Sequence, residues 1–419
     1  MLKLAELIER DADTLALYET LASGKPVAAT VPEMRAAAIW YRYYAGLAAN
    51  LEASLRPLSA TAAAQVTREP LGVILAITPF NAALSLGAWK IAPALAMGNT
   101  IVVKPPHDAA HSTLHLARLM IEAGFPPGVL NVVVGDAATG AALADDPRVA
   151  GISITGSSAA ARAVGMAALS RLRHFSAEAG GKSAHIVFED ADLDNAVIAA
   201  TQGVFSAAGQ TCVAGSRLLI HETIHDAFVE KYLARVAGLR LGDPRLPSTH
   251  VGPLAAARHE ERVSGFVTRA LADGAELLLG GARPDLDAPF DGGFWFAPTV
   301  LAGTNPAMEI AREEVFGPVV VLQKFASEEE AVQIANGTEY GLAAGFWSQN
   351  PARMQRVAGQ LRAGTVWVNT YRTIHWRVPF GGYKQSGVGR ENGPEALLEF
   401  SQIKSVIVDT GPARDPFAY

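Results

Sequence analysis

The segment Leu71–Pro106 reads LGVILAITPFNAALSLGAWKIAPALAMGNTIVVKPP. Within it, the short apolar run Gly72–Ile77 is followed by a helical pattern over Leu84–Met97 and by a second apolar run, Thr100–Val103. Continuous apolar strands that alternate with helices are typical of a parallel sheet covered by helices on both faces. This segment therefore predicts a strand–helix–strand unit of an α/β fold.

The same segment is long enough to be compared with a membrane span, which needs about 20 consecutive apolar residues. Pro79, Asn81, Lys90 and Asn99 interrupt it, so burial inside a globular domain is the better interpretation. The start of the chain, MLKLAELIERDAD, lacks the apolar region of a signal peptide. A single cysteine fits a reducing compartment, and the cytoplasm is the predicted location.

Similar patterns extend on both sides of this segment. Residues 1–55 have helical periodicity, and Leu58–Arg68 predicts one or two exposed strands. Further strands are predicted at Val129–Val134, Gly151–Ile154, Ile186–Phe188, Ser216–Ile220, Val319–Phe325 and Thr365–Val368, and further helices at His111–Ala123, Ala159–Ala168, Asn195–Ser206 and His225–Leu239. Two successive α/β lobes, meeting near Gly180-Gly181, are therefore predicted.

Length and composition agree with this organisation. A chain of 419 residues exceeds the usual size of one hydrophobic core, so two or more domains are expected. Half of the residues are hydrophobic and 18% are charged, as in a compact soluble protein. The net charge of −6 and the lack of a basic run argue against nucleic acid or an anionic membrane as the main partner.

The only cysteine, Cys212, stands in the sequence GQTCVAGSR, between a helix pattern and a strand pattern. A small loop flanked by glycines would let a substrate approach the sulfur closely. An inert buried cysteine is the alternative, because free cysteine is among the most buried residue types.

Two polar side chains could assist such a nucleophile. Glu178 lies in SAEAGGKS, an apolar setting that can raise the pKa of a carboxyl and make it a general base near neutrality. Asn81 follows an apolar strand at its carboxyl end, where its amide could donate to an oxyanion. A solvated loop acid and a helix cap are the respective alternatives.

Dinucleotide binding has a weaker signal. The chain contains no G-x-G-x-x-G between a strand and a helix. Thr155-Gly156-Ser157 does end a strand and begin a helix, where free amides suit a pyrophosphate. Lys104, at another strand end, could bond ribose hydroxyls or be a surface lysine.

Taken together, these segments resemble the aldehyde dehydrogenase superfamily, in the family's order and over nearly the whole chain. The matching stretches are Pro79-Phe80-Asn81, Val103-Lys104-Pro105, residues 124–133 (GFPPGVLNVV), Thr155-Gly156-Ser157, Glu178-Ala179-Gly180-Gly181-Lys182, Gly209-Gln210-Thr211-Cys212, residues 313–318 (EEVFGP) and residues 379–384 (PFGGYK). Eight such segments in order make chance similarity a poor explanation.

The resemblance implies an NAD(P)-dependent oxidation of an aldehyde to a carboxylic acid. Cys212 would attack the aldehyde, Asn81 and the Cys212 amide would stabilise the oxyanion, and Glu178 would activate the water that hydrolyses the thioester. Lys90 and Glu391 match a proton relay, and no metal is implied. The implied coenzyme-binding residues are Thr78, Pro79, Phe80, Lys104, His107, Gly135, Thr155, Gly156, Ser157, Ala179, Gly180, Glu314 and Phe316.

The resemblance also implies an aldehyde dehydrogenase fold with two parallel-sheet α/β domains. A Rossmann-like coenzyme domain would comprise residues 1–51 and 70–180, and a catalytic domain residues 181–385. Strands within residues 52–69 and 398–412 would form a small bridge for a homodimer or homotetramer. Family members carry residues before the stretch matched by Leu2–Leu21, so the chain is expected to be an amino-terminally short member.

One position of the sequence bears on the choice between NAD and NADP. His107 stands where many NAD-using members have Glu, and loss of that carboxylate removes repulsion toward a 2′-phosphate. NAD is the predicted coenzyme, with NADP as the alternative.

The family pattern further implies an apolar aldehyde tunnel lined by Ala82, Leu86, Trp89, Thr211, Val213, Ile374 and Phe380. Arg372, His375, Trp376 and Arg377 form an unusual basic and aromatic insert near its mouth, which would favour a substrate with a carboxylate or a ring. A solvated interface loop is the alternative.

Two other classes of function stay open. A CoA-acylating member would pass the thioester to CoA, although acylating branches usually lack a carboxylate at the position of Glu178. A non-catalytic binding or structural role would be plausible if the nucleophile or the base were missing, and both are present.

Overall fold

The computed structural model describes residues 1–413 and 417. Three helices begin the chain: α1 (Leu2–Arg10), α2 (Ala12–Ser23) and α3 (Val27–Ala48). Strands and helices then alternate: β1 (Ser54–Pro57), β2 (Ala62–Pro70), β3 (Val73–Ile77), α4 (Ala83–Ala96), β4 (Thr100–Lys104), α5 (His111–Glu122), β5 (Leu130–Val132), α6 (Ala137–Asp145), β6 (Val149–Thr155), α7 (Ser158–Leu169) and β7 (His174–Glu178).

The second half of the chain continues this alternation. Its elements are β8 (Ala184–Val187), α8 (Leu193–Phe205), β9 (Arg217–His221), α9 (His225–Ala237), α10 (Ala257–Ala272), β10 (Glu276–Leu279), β11 (Thr299–Ala302), α11 (Glu309–Arg312), β12 (Val319–Phe325), α12 (Glu328–Asn336), β13 (Tyr340–Gly341), β14 (Ala343–Trp347), α13 (Pro351–Gln360), β15 (Thr365–Val368), β16 (Tyr383–Lys384), β17 (Gly387–Val388), α14 (Ala396–Glu399) and β18 (Ser401–Asp409).

The first sheet has six strands in the order β17-β7-β6-β3-β4-β5. All neighbouring pairs are parallel except β17 with β7. Helices α1 to α5 pack their apolar residues against this sheet in one core, which explains why β3 and β4 are continuous apolar runs. Because strand order changes direction at β3, a crevice is expected between β3 and β6.

The second sheet has seven strands in the order β10-β11-β12-β9-β8-β14-β15, and only β10 is antiparallel to its neighbour. Apolar residues of α8, α9 and α10 cover one face and those of α12 and α13 the other. The predicted α/β class with two parallel sheets is therefore confirmed.

A third sheet joins β2 to β1 on one side and to β18 on the other. Its nine paired positions with β18 run from Ser401↔Pro70 to Asp409↔Ala62, and every residue of β18 after Ser401 is exposed. The exposed strands predicted around Leu58–Arg68 thus exist, although Leu58 and the three residues after it form the turn between them.

Some elements differ from their predictions and others had none. The strand predicted over Val129–Val134 is only Leu130–Val132, because β5 pairs with β4 alone at the sheet edge. Helices α6, α10, α12 and α13 had no prediction. In α10, Val263, Phe266 and Val267 recur at helical spacing and are buried, but charged and small residues surround them in the sequence.

Within the described residues, no helix is long and apolar enough to cross a membrane.

Candidate active site

The carboxyl ends of four parallel strands place most of the predicted site residues along one edge of the first sheet. Glu178 ends β7, Thr155 ends β6, Thr78 follows β3 and Lys104 ends β4. Neighbouring parallel strands present their ends to the same crevice. The four strand ends lie side by side in the order β7, β6, β3 and β4, which differs from their order in the sequence.

Cys212 approaches this edge from the second half of the chain. It follows a turn, Ser206–Gly209, between α8 and β9. In this turn Ala207, Ala208 and Gly209 all have positive φ, at 55°, 52° and 70°. A left-handed alanine costs roughly 1–2 kcal/mol, so tertiary contacts must hold the turn in place. Gly209 is required there, because a Cβ would lie 2.0 Å from the Gly317 carbonyl oxygen.

The backbone after Glu178 lies directly against the Cys212 loop. A Cβ at Gly181 would lie 2.3 Å from the carbonyl oxygen of Cys212, so only glycine fits. The two strand-end loops that carry the predicted base and nucleophile are thereby brought into contact.

Both loops open into one cavity of about 360 Å³. Its lining includes Cys212, Glu178, Asn81 and Glu391. All residues predicted for the aldehyde tunnel also line it, namely Ala82, Leu86, Trp89, Thr211, Val213, Ile374 and Phe380. The cavity walls are thus mainly apolar, with a few convergent polar groups, as is usual for small-molecule sites.

Glu178 is a buried carboxyl group that is only 3% exposed. Neither of its carboxylate oxygens has a hydrogen-bond partner among the described residues. Burial, followed by the nearby charge of Glu391, raises the pKa of Glu178 well above its usual range. Such a group can accept a proton near neutrality.

Behind Glu178 lies a second buried acid, Glu391, which forms an ion pair with Lys90. Lys90 Nζ also donates to Ser153 Oγ at 3.2 Å, and Ser176 Oγ lies 2.9 Å from the same hydroxyl. Glu391 Oε2 has no partner among the described residues. Burial raises the pKa of Glu391, while the ammonium of Lys90 opposes that rise.

We expect Lys90→Met to lower the free energy of unfolding by about 3–5 kcal/mol, because it leaves a buried carboxyl without its ion-pair partner. Urea denaturation at neutral pH would measure the loss. The double variant Lys90→Met/Glu391→Leu is the control, since replacing both charges by apolar groups restores most of the stability. Equal losses in the single and double variants would contradict this explanation.

The Cys212 side chain is partly buried in the cavity lining, and its surroundings oppose ionisation of the thiol. Burial, and then the negative charges of Glu314 and Glu178, raise its pKa to about 12, whereas the charge of Arg372 acts in the opposite direction. Because the thiolate is the nucleophilic form, this cysteine needs a base close to the cavity.

Asn81 does not cap helix α4, which was the alternative to an oxyanion role. Its Nδ2 donates to the carbonyl oxygen of Gln210 at 2.9 Å, two residues before Cys212. The helix amides of Ala83 and Leu84 donate instead to the buried carboxylate of Glu19, at 3.2 and 3.0 Å. The amide of Asn81 is thereby held against the Cys212 loop.

Several lining residues had no prediction. Gln210 connects three segments: its Nε2 donates to the Ser23 carbonyl at 2.9 Å, and its Oε1 accepts from the amide of Ala255 at 3.0 Å. One face of α3 also closes the cavity. The unpredicted lining residues are Lys25, Ala29, Glu33, Ala36, Ala37, Trp40, Ser85, Gln202, Ser206, Ala207 and Gln210. No local pattern indicates that α3 reaches a loop some 180 residues later in the chain.

The predicted phosphate-binding turn lies at the amino end of α7, a twelve-residue helix. Ser157 is its N-cap, and Ser157 Oγ accepts from the amide of Ala160 at 3.2 Å. The hydroxyls of Thr155 and Thr78 are buried and have no partner among the described residues. These groups remain available to a polar ligand in the crevice.

Lys104 lies nearby with one hydrogen bond, 3.2 Å from its Nζ to the carbonyl oxygen of Pro105. Burial lowers the pKa of Lys104, and the charge of Asp136 opposes this. His107 is exposed, and its Nε2 lies 2.5 Å from Oδ1 of Asp108, whose Oδ2 accepts from Arg258 at 2.9 Å.

Glu314 lies against the Gly180-Gly181 backbone, where its Oε1 accepts from the amide of Gly181 at 3.0 Å. Burial raises the pKa of Glu314 to about 7. Phe316 packs edge-on against Phe80 with ring centroids 5.8 Å apart. The backbone amide of Ala179 donates to the carbonyl oxygen of Ser386 at 2.8 Å. At Gly135 a Cβ would lie 2.3 Å from Thr139 Oγ1, so the backbone there packs tightly against Thr139.

The basic and aromatic insert is only partly at the cavity. Arg372 lines it, whereas His375, Trp376 and Arg377 do not. His375 stacks on Trp376 with centroids 3.8 Å apart, and Trp376 meets the edge of Trp40 at 6.0 Å. His375, Trp376 and Arg377 therefore lie outside the cavity lining, although Trp376 contacts the lining residue Trp40, and the location of the insert near the mouth stays a prediction.

Comparisons with known proteins identify the family to which the chain belongs. Residues 1–406 match the model of the aldehyde dehydrogenase family. The chain is 43% identical over 418 residues to a betaine aldehyde dehydrogenase of Bacillus subtilis, covering 99% of this chain and 84% of that relative.

Solved structures show the same similarity. An NAD-dependent aldehyde dehydrogenase from Sinorhizobium meliloti is 40% identical with a TM-score of 0.96, covering 100% of this chain and 83% of that one. An NAD⁺ complex of an aldehyde dehydrogenase from Bacillus cereus is 38% identical with a TM-score of 0.95, covering 98% and 83%. The chain therefore belongs to the aldehyde dehydrogenase family.

Proposed function

We propose that the protein oxidises an aldehyde to its carboxylic acid with NAD⁺ or NADP⁺, through a thioester on Cys212. The observation that carries the proposal is the shared cavity, in which a thiol, an unpaired buried carboxyl and a side-chain amide face an apolar space of about 360 Å³. An inert buried cysteine would not be accompanied by this set of groups.

The residues along the first sheet fit a dinucleotide. The amino end of α7 with Ser157 would bind the pyrophosphate, and Lys104 the adenosine ribose. Glu314 and Phe316 would hold the nicotinamide ribose beside the Gly180-Gly181 backbone. The unpartnered hydroxyls of Thr78 and Thr155 support this fit. When bound, the coenzyme accepts a hydride from the substrate carbon.

The chain's own groups would perform the remaining chemistry. Glu178 takes the proton from the Cys212 thiol, directly or through water, and the sulfur attacks the aldehyde carbon to form a thiohemiacetal. Asn81 Nδ2 and the Cys212 backbone amide donate to its oxygen. Asn81 then exchanges its hydrogen bond to the Gln210 carbonyl for one to the substrate.

Hydrolysis would use the same carboxylate a second time, after the thiol proton has passed from Glu178 to solvent. Glu178 takes a proton from water as the water oxygen attacks the thioester carbon, and it returns that proton to the Cys212 sulfur as the carbon–sulfur bond breaks and the acid leaves. Glu391 Oε2, which has no partner in the described structure, is available to accept the first proton through water, while Lys90, which is already an ammonium, holds Glu391 in place. This assigns the buried ion pair a positioning and relay role.

We expect Asn81→Ala to lower kcat by roughly 10²–10³-fold, because it removes one oxyanion donor. Asn81→Asp would be at least as damaging, since a carboxylate would repel the developing negative charge. Steady-state assays with a neutral aldehyde measure the loss. Ser85→Ala, which removes another polar group of the cavity lining, is the comparison. A similar small effect in both variants would contradict the oxyanion role.

The proposal is tested by an aldehyde panel assayed with NAD⁺ and with NADP⁺, following coenzyme reduction. We expect turnover with NAD⁺, because a related aldehyde dehydrogenase was solved as its NAD⁺ complex, and NADP⁺ is the second choice. Oxidation of no aldehyde with either coenzyme, by protein that binds reduced coenzyme, would overturn it.

The CoA-acylating alternative is tested in the same assay by adding CoA. The buried carboxyl of Glu178 beside the thiol supports hydrolysis, so we expect free acid and no acyl-CoA. A purely structural or binding role would appear as a coenzyme fluorescence change without any turnover.

We further propose that the division into lobes follows the predicted domain boundary at residues 180–181, and that the protein is a cytoplasmic homodimer or homotetramer. The exposed apolar side chains of β18, Ile403, Val406 and Ile407, support assembly through the third sheet. Light scattering of the purified protein would measure the assembly, and a monomer at micromolar concentration would contradict it.

A further inference from the structure

Arg372 contributes an unusual charge to the active-site cavity. Its side chain lines the same space as Cys212. In the described part of the chain its guanidinium makes one hydrogen bond, 3.4 Å from Nη1 to the Gln202 carbonyl, and no ion pair. Because a guanidinium carries five N–H donors, most of them remain for a ligand.

The segment around Arg372 is firmly anchored. Tyr371 OH donates to the Val213 carbonyl at 3.2 Å, and Trp367 Nε1 donates to the Thr373 carbonyl at 2.8 Å. Arg372 itself has a left-handed backbone with φ of 61°. A strained residue held on both sides suits a pre-organised binding group better than a mobile surface loop.

The acids of the cavity do not neutralise Arg372. Glu33 lies 2.5 Å from the ammonium of Lys25, and Glu391 is paired with Lys90. The pKa of Glu178 is raised, which reduces its negative charge near neutrality. The balance of charge facing a substrate is therefore positive on the side of Arg372.

A second cavity of about 540 Å³ adjoins the first. The two share Ala29, Gln202, Ser206 and Ala207 in their linings. Arg235 lines the second cavity, and no acid does so among the described residues; His250 also lines it, but burial and the neighbouring arginines lower its pKa and favour the neutral ring. A cationic surface beside a site raises the local concentration of anions.

We propose that Arg372 is a specificity-determining residue that binds the distal carboxylate of the substrate, so that ω-oxo carboxylic acids are the preferred aldehydes. This inference rests on the proposed aldehyde oxidation and adds its substrate class. Arginine forms a charge-assisted and often bidentate contact with a carboxylate, which gives geometric as well as electrostatic selection.

A cationic aldehyde is the competing substrate class, because aromatic faces can bind a quaternary ammonium group. Trp40, Trp89 and Phe380 line the cavity. However, Trp40 and Trp89 stack on each other at 5.9 Å, and Trp89 meets Phe380 edge to face at 5.3 Å, so these rings are largely committed to one another. The unpaired guanidinium would also repel the ligand.

The test compares kcat/KM for ω-oxo acids of four to six carbons with n-alkanals of equal length and with trimethylammonioacetaldehyde. For the wild type we expect the best ω-oxo acid to exceed its matched alkanal by roughly tenfold or more. Arg372→Gln should lower this ratio by roughly 10–100-fold, mainly through KM. The ratio cancels any effect of Arg372 on the Cys212 thiol, which acts on both aldehydes.

Arg372→Lys keeps the charge without the bidentate geometry. This variant should retain part of the wild-type preference for the ω-oxo acid over its matched alkanal. Arg377→Gln removes an exposed cation from the same segment and should leave the ratio within about twofold of wild type. Equal losses for charged and uncharged aldehydes in Arg372→Gln, or a wild-type preference for the trimethylammonium aldehyde, would overturn the inference. If the wild-type protein oxidises none of these aldehydes, the result would instead refute the proposed function.

Discussion

We expect Cys212→Ala to lose aldehyde oxidation by roughly 10⁴-fold or more, because no covalent intermediate can form without the sulfur. Cys212 is the only cysteine, so the variant should also lose all reaction with thiol reagents. Coenzyme binding, measured by fluorescence titration, should be unchanged, since the groups expected to bind the dinucleotide lie along the first sheet.

The wild-type protein supplies an internal control for this experiment. Alkylation of Cys212 by iodoacetamide should be slow at neutral pH and accelerate at alkaline pH, because the pKa of the thiol is raised to about 12. Inactivation should parallel alkylation. Substantial turnover by Cys212→Ala would show that the chemistry does not pass through the thiol.

The second large effect concerns Glu178. We expect Glu178→Gln to lower kcat by roughly 10²–10⁴-fold, because the amide cannot accept a proton from water. If the Cys212 thiol is still deprotonated in this variant, mixing it with aldehyde and coenzyme would produce about one reduced coenzyme per active site. Turnover would then almost stop, because the thioester is not hydrolysed. Mass spectrometry of the arrested protein should then find Cys212 acylated.

The pH dependence provides a separate test of the same residue. Only the ionised form of Glu178 is a base, and its pKa is raised well above the usual value for a glutamate. Hydrolysis should therefore increase as pH rises through this raised pKa and decrease below it. The rate of hydrolysis by Glu178→Gln should not show this increase with pH. The exposed acid Glu339, changed to Gln, is the matched control and should keep both the rate and the profile.

Much of the fold was predictable because its central strands are buried on both faces. Val319–Phe325 has the predicted bounds and is buried at every position except Lys324. Thr365–Val368 also has its predicted bounds, although it is an edge strand, whereas the predicted edge strand at Val129–Val134 was too long. The short strands β13, β16 and β17 are defined by their partners and not by any local pattern.

Some residues of the candidate site could also be predicted from the sequence, and others could not. Cys212, Glu178 and Asn81 could be named because each stands in a recognisable segment, Glu178 and Asn81 at strand ends and Cys212 between a helix and a strand. The class of reaction is confirmed by the family assignment. The roles of Glu19 and Gln210 could not be predicted, because their hydrogen bonds join segments that are distant in sequence. The left-handed backbone of Ala207 and Ala208 could not be predicted, because no glycine stands at either position to indicate it.

Strand β17 has a consequence for how the protein is made. It pairs with β7 through Gly387↔Glu178 and Val388↔Ala177, so the edge beside the candidate base is completed by residues near the end of the chain. Glu391, which comes three positions later, adds the acid behind it. A ribosome that releases the amino end first leaves this edge open until residues 387–391 have been made. Chains that stop before Gly387 would lack both this strand and Glu391, and we expect them to be inactive.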